Sequence, residues 1–230
     1  MISILIKKIE RITLSIFFIY GSFQVTAQKH EIGVGLGASN YTGEIVQLID
    51  VRNFRPAGQI YYRFNLSQVV SLKVATSLGI LAASDNKYSN ATAKYRNASF
   101  STLYNDVSAM IEYNFLDFAY KDKSNSSHFS PYLSAGIGIL NYKSTISDPN
   151  YKVNTLFQPI IPFGGGLKYR TNAHLTFNFQ FTINKTFTDA IDGIYNQNGA
   201  SKLVSNPHTT DWYYSTGITV GYIFWKVYCT

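Results

Sequence analysis

The amino-acid sequence predicts an all-β fold, an eight-stranded antiparallel up-and-down transmembrane β-barrel, and three observations carry that expectation. From Leu175 to Ile183 the chain reads Leu-Thr-Phe-Asn-Phe-Gln-Phe-Thr-Ile, apolar residues alternating strictly with small polar ones. That is the period of a strand whose two faces meet different solvents. A half-buried strand of a soluble sandwich shows the same alternation, but seven further segments repeat it and the chain opens with an export signal. A barrel with lipid outside and a polar, packed lumen inside accommodates all three.

The export signal occupies residues 1–27. Lys7, Lys8 and Arg11 form a basic start, Ile12 to Phe23 an apolar run, and Val25-Thr26-Ala27 a small-x-small cleavage site that leaves Gln28 as the mature N-terminus. The apolar run falls short of the ~20 residues that a spanning helix wants, which favours removal over a retained anchor. No Cys follows the cleavage site, so a lipid-anchored form is not expected there. Residues 28–230 are then one barrel domain.

Composition agrees. The chain carries 18 Tyr and 16 Phe but only 14% charged residues, against about 25% in an ordinary soluble domain. The formal charge of +7 invites a nucleic-acid partner. The signal segment supplies part of it, however, and the remainder is scattered over loops with no run of more than two basic residues. Solvated loop charge plus a few lumen residues is the better reading, and no nucleic-acid partner is expected. Cys229 has no partner for an internal disulfide and reads as an incidental terminal thiol, with an intermolecular bridge as the alternative.

Strands are expected at about 30–40, 56–65, 68–82, 98–115, 129–143, 159–170, 173–185 and 211–225. Their connections alternate in length. Long ones at 41–55, 83–97, 144–158 and 186–210 separate short turns at Leu66-Ser67 and Thr171-Asn172, with a middling polar segment at 116–128. Large loops at one end and small turns at the other are how outer-membrane barrels are built. The 116–128 segment reads as solvent-facing slack or, alternatively, as a periplasmic contact.

Parity assigns the faces. Ile32, Val34 and Leu36 face lipid on the first strand, and Val70, Leu72, Val74, Leu78 and Ile80 on the third. Trp212, Tyr214, Ile218, Val220, Tyr222 and Phe224 do so on the last. Aromatic residues collect near strand ends, as interfacial girdles do. An eight-stranded barrel is only wide enough for side chains to fill, so the lumen should be closed. The same parity sends Glu31, Arg63, Lys73, Glu112 and Lys168 inward, toward one end. Buried charges persist only when paired, which predicts a compact structural cluster plugging that end.

Chemistry is sparse. His30, His128 and His174 fall at or beside the turns, and His208 stands alone in the last loop. None is evidently placed with a nucleophile and a carboxylate. No Cys/His or acidic spacing suggests a metal. Gly164-Gly165-Gly166 lies inside a strand pattern with no following helix and is no phosphate loop. No catalytic residue, cofactor or small-molecule substrate is expected.

Several segments read in order carry a resemblance. They are Asn40-Tyr41-Thr42-Gly43-Glu44-Ile45, Tyr62-Arg63-Phe64-Asn65-Leu66, Glu112-Tyr113-Asn114-Phe115-Leu116 and Pro131-Tyr132-Leu133. Pro162-Phe163-Gly164-Gly165-Gly166-Leu167-Lys168-Tyr169, Thr186-Phe187-Thr188-Asp189-Ala190-Ile191-Asp192 and Asp211-Trp212-Tyr213 complete the set. Together they resemble the DUF6089 group of small outer-membrane β-barrels, whose PorG-like members belong to the type IX secretion system. Ala190 stands where that group usually has an aromatic residue.

The resemblance implies a non-enzymatic barrel in the outer membrane, with both termini in the periplasm. Its partners would be membrane lipid and the periplasmic secretion-ring proteins. Tyr41, Gly43, Glu44, Asp189 and Asp192 are candidate loop or partner contacts. For the carboxylates a local cap or salt bridge is the competing reading, and for the Asn40–Glu44 segment it is a loop turn. A surface-binding or adhesion barrel acting through its long outer loops is the first alternative, and a lipid-modifying barrel enzyme the second.

Overall fold

The computed structural model describes residues 29–42, 50–84, 99–118, 128–146, 152–171, 174–187, 191 and 211–224. Within them eight strands close into one antiparallel barrel in sequence order. The strands are β1 (Lys29–Thr42), β2 (Arg55–Asn65), β3 (Val70–Ser84), β4 (Ser99–Asn114), β5 (Phe129–Ile146), β6 (Lys152–Arg170), β7 (Leu175–Thr186) and β8 (Trp212–Phe224). A short 3₁₀ turn, Val51–Asn53, precedes β2.

The register runs once round the wall from His30 through Phe64, Leu72, Ile111, Ala135, Phe163, Ile183 and Tyr214, and meets β1 again at Asn40. The stagger of ten residues tilts the strands by about 40° and leaves an interior that side chains fill.

Period-2 alternation dictates the two faces. The apolar residues that a soluble protein would bury point outward, Leu36 with 81% and Ile137 with 72% of its surface exposed. Exposed rings cluster toward the end that carries Lys29 and Phe224, hereafter the terminal end. Tyr62, Tyr113, Phe115, Phe129, Tyr169, Tyr222 and Phe224 all lie there. His30 packs against Tyr62 and Phe64, and His174 stacks on Tyr222 at 5.5 Å between ring centroids. At the opposite end, the mouth, Lys185 lies over the Trp212 ring at 5.6 Å. The result is an apolar belt between aromatic rims, the pattern expected of a membrane barrel.

The third connection differs from expectation. β5 and β6 continue to Ile146 and back from Lys152, so it spans 147–151 rather than 144–158. The polar run Lys143-Ser144-Thr145 marks where the apolar belt stops, whereas strand pairing goes on into water. A β-bulge helps it do so. Between the pairs Leu140–Gln158 and Tyr142–Thr155, Asn141 faces two residues of β6. Phe157 takes the positive φ of 62° that the bulge needs, and its N–H donates to Asn141 Oδ1 at 2.8 Å. The two short turns are also wider than read, at 66–69 and 171–174. In the first, Ser67 Oγ accepts from Val69 and Val70 N–H.

Glycine is required where bulky lumen groups cross. A Cβ at Gly221 would fall onto the Glu31 carboxylate and the Tyr61 hydroxyl, whereas one at the outward Gly58 would find its nearest atom at 3.7 Å. Gly221→Ala should therefore cost about 1–3 kcal/mol, as overpacking does. Gly58→Ala should stay within about 0.5 kcal/mol of the parent. Urea unfolding in lipid vesicles, followed by tryptophan emission, measures both.

Candidate functional site

The lumen is closed by two assemblies of different chemistry. At the terminal end Arg63, on β2, lies between carboxylates from strands on either side. Its Nε donates to Glu112 Oε2 at 2.7 Å, and its Nη1 donates to Glu31 Oε1 at 2.5 Å. Lys168 on β6 approaches the same Glu112 Oε2 at 2.6 Å and also donates to Asn114 Oδ1 at 2.8 Å. Lys73 on β3 stands 3.9 Å from Glu112 Oε1, and its ammonium donates to Gln180 Oε1 at 2.8 Å. The five inward charges expected from parity thus come together, each nearly or completely buried. Such short, mutually hydrogen-bonded ion pairs are what allow charge to remain inside a barrel.

A second shell fixes their geometry. The Tyr61 and Thr176 hydroxyls donate to Glu31 Oε1 at 2.6 and 2.8 Å. The Tyr61 ring lies 4.8 Å from the Arg63 guanidinium and 5.0 Å from the Lys73 ammonium, and Tyr132 lies 4.4 Å from Lys168. Gln180 Nε2 donates to Gln59 Oε1 at 2.7 Å, carrying the network toward the middle of the barrel. Below the cluster, buried Phe118 lies against the Arg170 guanidinium at 4.6 Å, and its N–H donates to Gln68 O at 3.3 Å. The start of the 116–128 segment is therefore packed into the barrel end rather than slack. An aromatic ring there covers a buried cation, which a reading of polar loop composition passes over. Residues 119–127 lie outside the described set.

At the mouth the chemistry turns aromatic. Tyr41, Leu81, Phe100, Tyr104, Leu140, Tyr142, Ile160, Ile191 and Tyr213 belong to one buried cluster. The Tyr41 hydroxyl donates to Asp211 Oδ1 at 2.6 Å, and the Tyr213 hydroxyl donates to Asp106 Oδ2 at 3.0 Å. Asp211 Oδ2 accepts from the Ile191 N–H at 3.0 Å, while the Ile191 carbonyl accepts from the Thr102 hydroxyl at 2.6 Å. Between the two assemblies a void of about 30 Å³ remains, lined by Gly35, Gly37, Gln59, Ser77, Tyr104 and Gln180 among others. It has room for a water molecule or two.

Of the candidate contacts read from the loops, Tyr41 is a buried member of the mouth assembly. Gly43, Glu44, Asp189 and Asp192 lie outside the described residues, as do His208 and Cys229. Three functional positions were missed. Asp106 shares β4 and parity with Glu112, so the same rule should have sent it inward. Asp211 opens the expected last strand with the inward parity of Ser215 and Gly217, so the same count reaches it, whereas Ile191 sits in the longest connection, where no local periodicity marks it.

Residues 10–230 match the family described as a domain of unknown function, DUF6089. The chain belongs to the DUF6089 family. No curated protein matches it in sequence. Among solved structures it is similar to Neisserial surface protein A, with a TM-score of 0.54 at 10% identity over 85% of this chain and 97% of that one. It is also similar to Ail, the attachment invasion locus protein of Yersinia pestis, with a TM-score of 0.48 at 12% identity over 86% of this chain and 100% of that one. These likenesses are of fold. The segments that resemble this family contribute residues to both lumen assemblies. Arg63, Glu112, Tyr132 and Lys168 come from four of them at the terminal end, and Tyr41, Ile191, Asp211 and Tyr213 from three at the mouth.

Deleting one partner of a buried ion pair strands the other. Arg63→Ala leaves Glu31 and Glu112 without their shared cation and should cost about 3–5 kcal/mol. Lys185→Ala, on the outer face, should cost less than about 1 kcal/mol. Equilibrium unfolding of the two variants in vesicles decides between a unifying and an incidental role for Arg63.

Proposed function

We propose that this chain is a non-enzymatic outer-membrane barrel with a structural or assembly role in a type IX secretion complex. The observation that carries the reading is that segments resembling the DUF6089 group, which has PorG-like members, contribute residues to both lumen assemblies. A barrel filled this way works through its surfaces. Its terminal end carries both chain ends of the barrel and the short 66–69 and 171–174 turns. That end faces the periplasm in this reading, offering the 116–128 segment and the rim around Phe118 to periplasmic ring proteins. The mouth and its long connections face outward.

The membrane setting is testable by itself. Ile137→Arg, a change that an exposed position of a soluble protein would tolerate, should cost about 2–4 kcal/mol in a bilayer. A neutral result in vesicle unfolding would remove the apolar belt from contact with lipid.

The secretion role is tested by recovering the tagged barrel from native membranes in mild detergent and identifying what accompanies it by mass spectrometry. Secretion-ring proteins in stoichiometric amounts are expected. Replacing residues 119–127 with a short Gly/Ser turn, with Phe118 left in place, should abolish their recovery and reduce cargo secretion. A barrel recovered alone, with secretion intact in a deletion strain, transfers the function to the outer loops. The surface-binding reading would then take over, favoured by the anchoring of the longest connection at the mouth through Ile191.

A further inference from the structure

Within the apolar belt the outward faces of β4 and β5 are apolar or aromatic except at one cross-strand pair. Asn105 on β4 and Asn141 on β5 stand opposite each other, outward by the same parity as Leu103, Val107, Ile137 and Ile139, and both are half-buried. Tyr113, at the terminal rim, is eight residues from Asn105 along the same strand. At ~3.3 Å per residue and a tilt of about 40°, the amides lie about 20 Å above that rim. A membrane barrel's apolar belt is ~25 Å tall. Lys143, where the belt stops, follows Asn141 by one outward step, and its cross-strand partner Leu103 is still 52% exposed. The amide pair is therefore inside the belt, toward its mouth-side edge.

Backbone partners fix how each amide is turned, because a carbonyl only accepts and an N–H only donates. Asn105 Nδ2 donates to Ser77 O at 3.0 Å and to Thr76 Oγ1 at 3.3 Å, both on β3. Its two hydrogens are thus used, and its Oδ1 has no partner among the described residues. Asn141 Oδ1 accepts from the Phe157 N–H on β6 at 2.8 Å, and its Nδ2 has no partner among the described residues. One amide leans toward β3 and the other toward β6, so the free carbonyl and the free NH2 do not meet. An acceptor and a donor are left side by side facing lipid, where each is costly to leave unmet.

A bare acceptor beside a bare donor is self-complementary. Two copies inserted in the same direction can be related by a two-fold axis along the membrane normal. Passing between β4 and β5, that axis sets every outward cross-strand pair against the same pair of the other copy, in exchanged order. Asn105 Oδ1 then faces the other copy's Asn141 Nδ2, and the converse bond forms at the same time. Cross-strand partners differ in height by only about 3 Å at ~4.8 Å strand spacing and this tilt, a step that side chains span. The pairs below suit the same exchange. Ala109 stands opposite Ile137 and Ile111 opposite Ala135, so the exposed Ile137 of one copy meets the small Ala109 of the other. Small residues let two walls approach closely in lipid. We propose that the outer wall of β4 and β5 is a homodimer interface within the bilayer, where a second copy of this chain docks through reciprocal Asn105–Asn141 hydrogen bonds. The inference rests on the membrane setting, which Ile137→Arg tests in barrels diluted in lipid, and not on which complex the barrel joins.

The test uses the full barrel in phospholipid vesicles, carrying a donor or an acceptor dye on Cys229, the one cysteine of the chain. Energy transfer is followed as added lipid dilutes the protein. The parent should show transfer that falls on dilution. Asn105→Leu and Asn141→Leu should each move the midpoint to an about tenfold or more higher protein-to-lipid ratio, since either change removes both reciprocal bonds. Heat-modifiable migration in gels verifies that each barrel is folded. With both amides kept and Cys229→Ser as background, Val107→Cys barrels should link into disulfide dimers on oxidation with copper phenanthroline. Ile218→Cys barrels, altered on the opposite wall, should not. Equal transfer in the parent and both leucine variants, a parent that is monomeric at every dilution, or linking through Ile218→Cys as strong as through Val107→Cys would each overturn the proposal. Val107→Cys barrels that link to another protein in native membranes yet stay single in vesicles would overturn the second copy in favour of a different partner. Parent transfer that disappears when lipopolysaccharide is added to the vesicles would overturn it in favour of lipid headgroups.

Discussion

Taking a guanidinium and two carboxylates out of water costs several kcal/mol per ion before any attraction is counted. Arg63 recovers that cost only by reaching Glu31 on β1 and Glu112 on β4 at the same time. Much of the terminal half of the barrel follows from this constraint. Glu112 must also serve Lys168, Glu31 must accept from Tyr61 and Thr176, and Gly221 must stay without a side chain to leave them room. A buried ion pair is a weak source of stability compared with apolar packing of the same volume. What it does supply is discrimination. Slipping any strand by one residue turns its inward set to the lipid, and a slip of β1, β2, β3, β4 or β6 would place a charge there. We therefore regard the cluster as a register lock rather than as a stabiliser.

Charge balance extends the same logic over the whole lumen. The buried charged side chains among the described residues are four acids, Glu31, Asp106, Glu112 and Asp211, and four bases, Arg63, Lys73, Lys168 and Arg170. They are not mixed evenly. All four bases lie in the terminal half with two acids, while Asp106 and Asp211 sit toward the mouth beside tyrosine hydroxyls. The interior is neutral in sum and polar along its axis. Arg170, farthest toward the terminal end, has no carboxylate within bonding range among the described residues and is covered by the face of Phe118 instead. The ring's quadrupole does there what an ion pair does above it.

The faces of the strands were legible because a barrel wall obeys a period of two at nearly every position, and both solvents act on side chains locally. Glu31, Arg63, Lys73, Glu112 and Lys168 could be placed in the lumen by counting alone, and Asp106 would have followed from the same count. The ends of β5 and β6 were not legible, since the signal used to end a strand was the loss of apolar character. That loss occurs where lipid stops, and the hydrogen-bond ladder continues beyond it through the bulge at Phe157. Phe118 and Ile191 were invisible for another reason. Each is an apolar residue in a segment read as a loop, and its contacts are set by partners elsewhere in the chain, Arg170 in one case and Thr102 with Asp211 in the other.

The two assemblies also differ in the interactions that hold them. Separating any pair in the terminal cluster leaves an uncompensated charge in a low-dielectric interior, a penalty far above thermal energy. At the mouth the described groups are joined instead by hydroxyl–carboxylate hydrogen bonds, Tyr41 to Asp211 and Tyr213 to Asp106, set among apolar and aromatic side chains. Charge thus fixes the register at one end of the lumen, and aromatic packing with hydroxyl–carboxylate bonds closes it at the other.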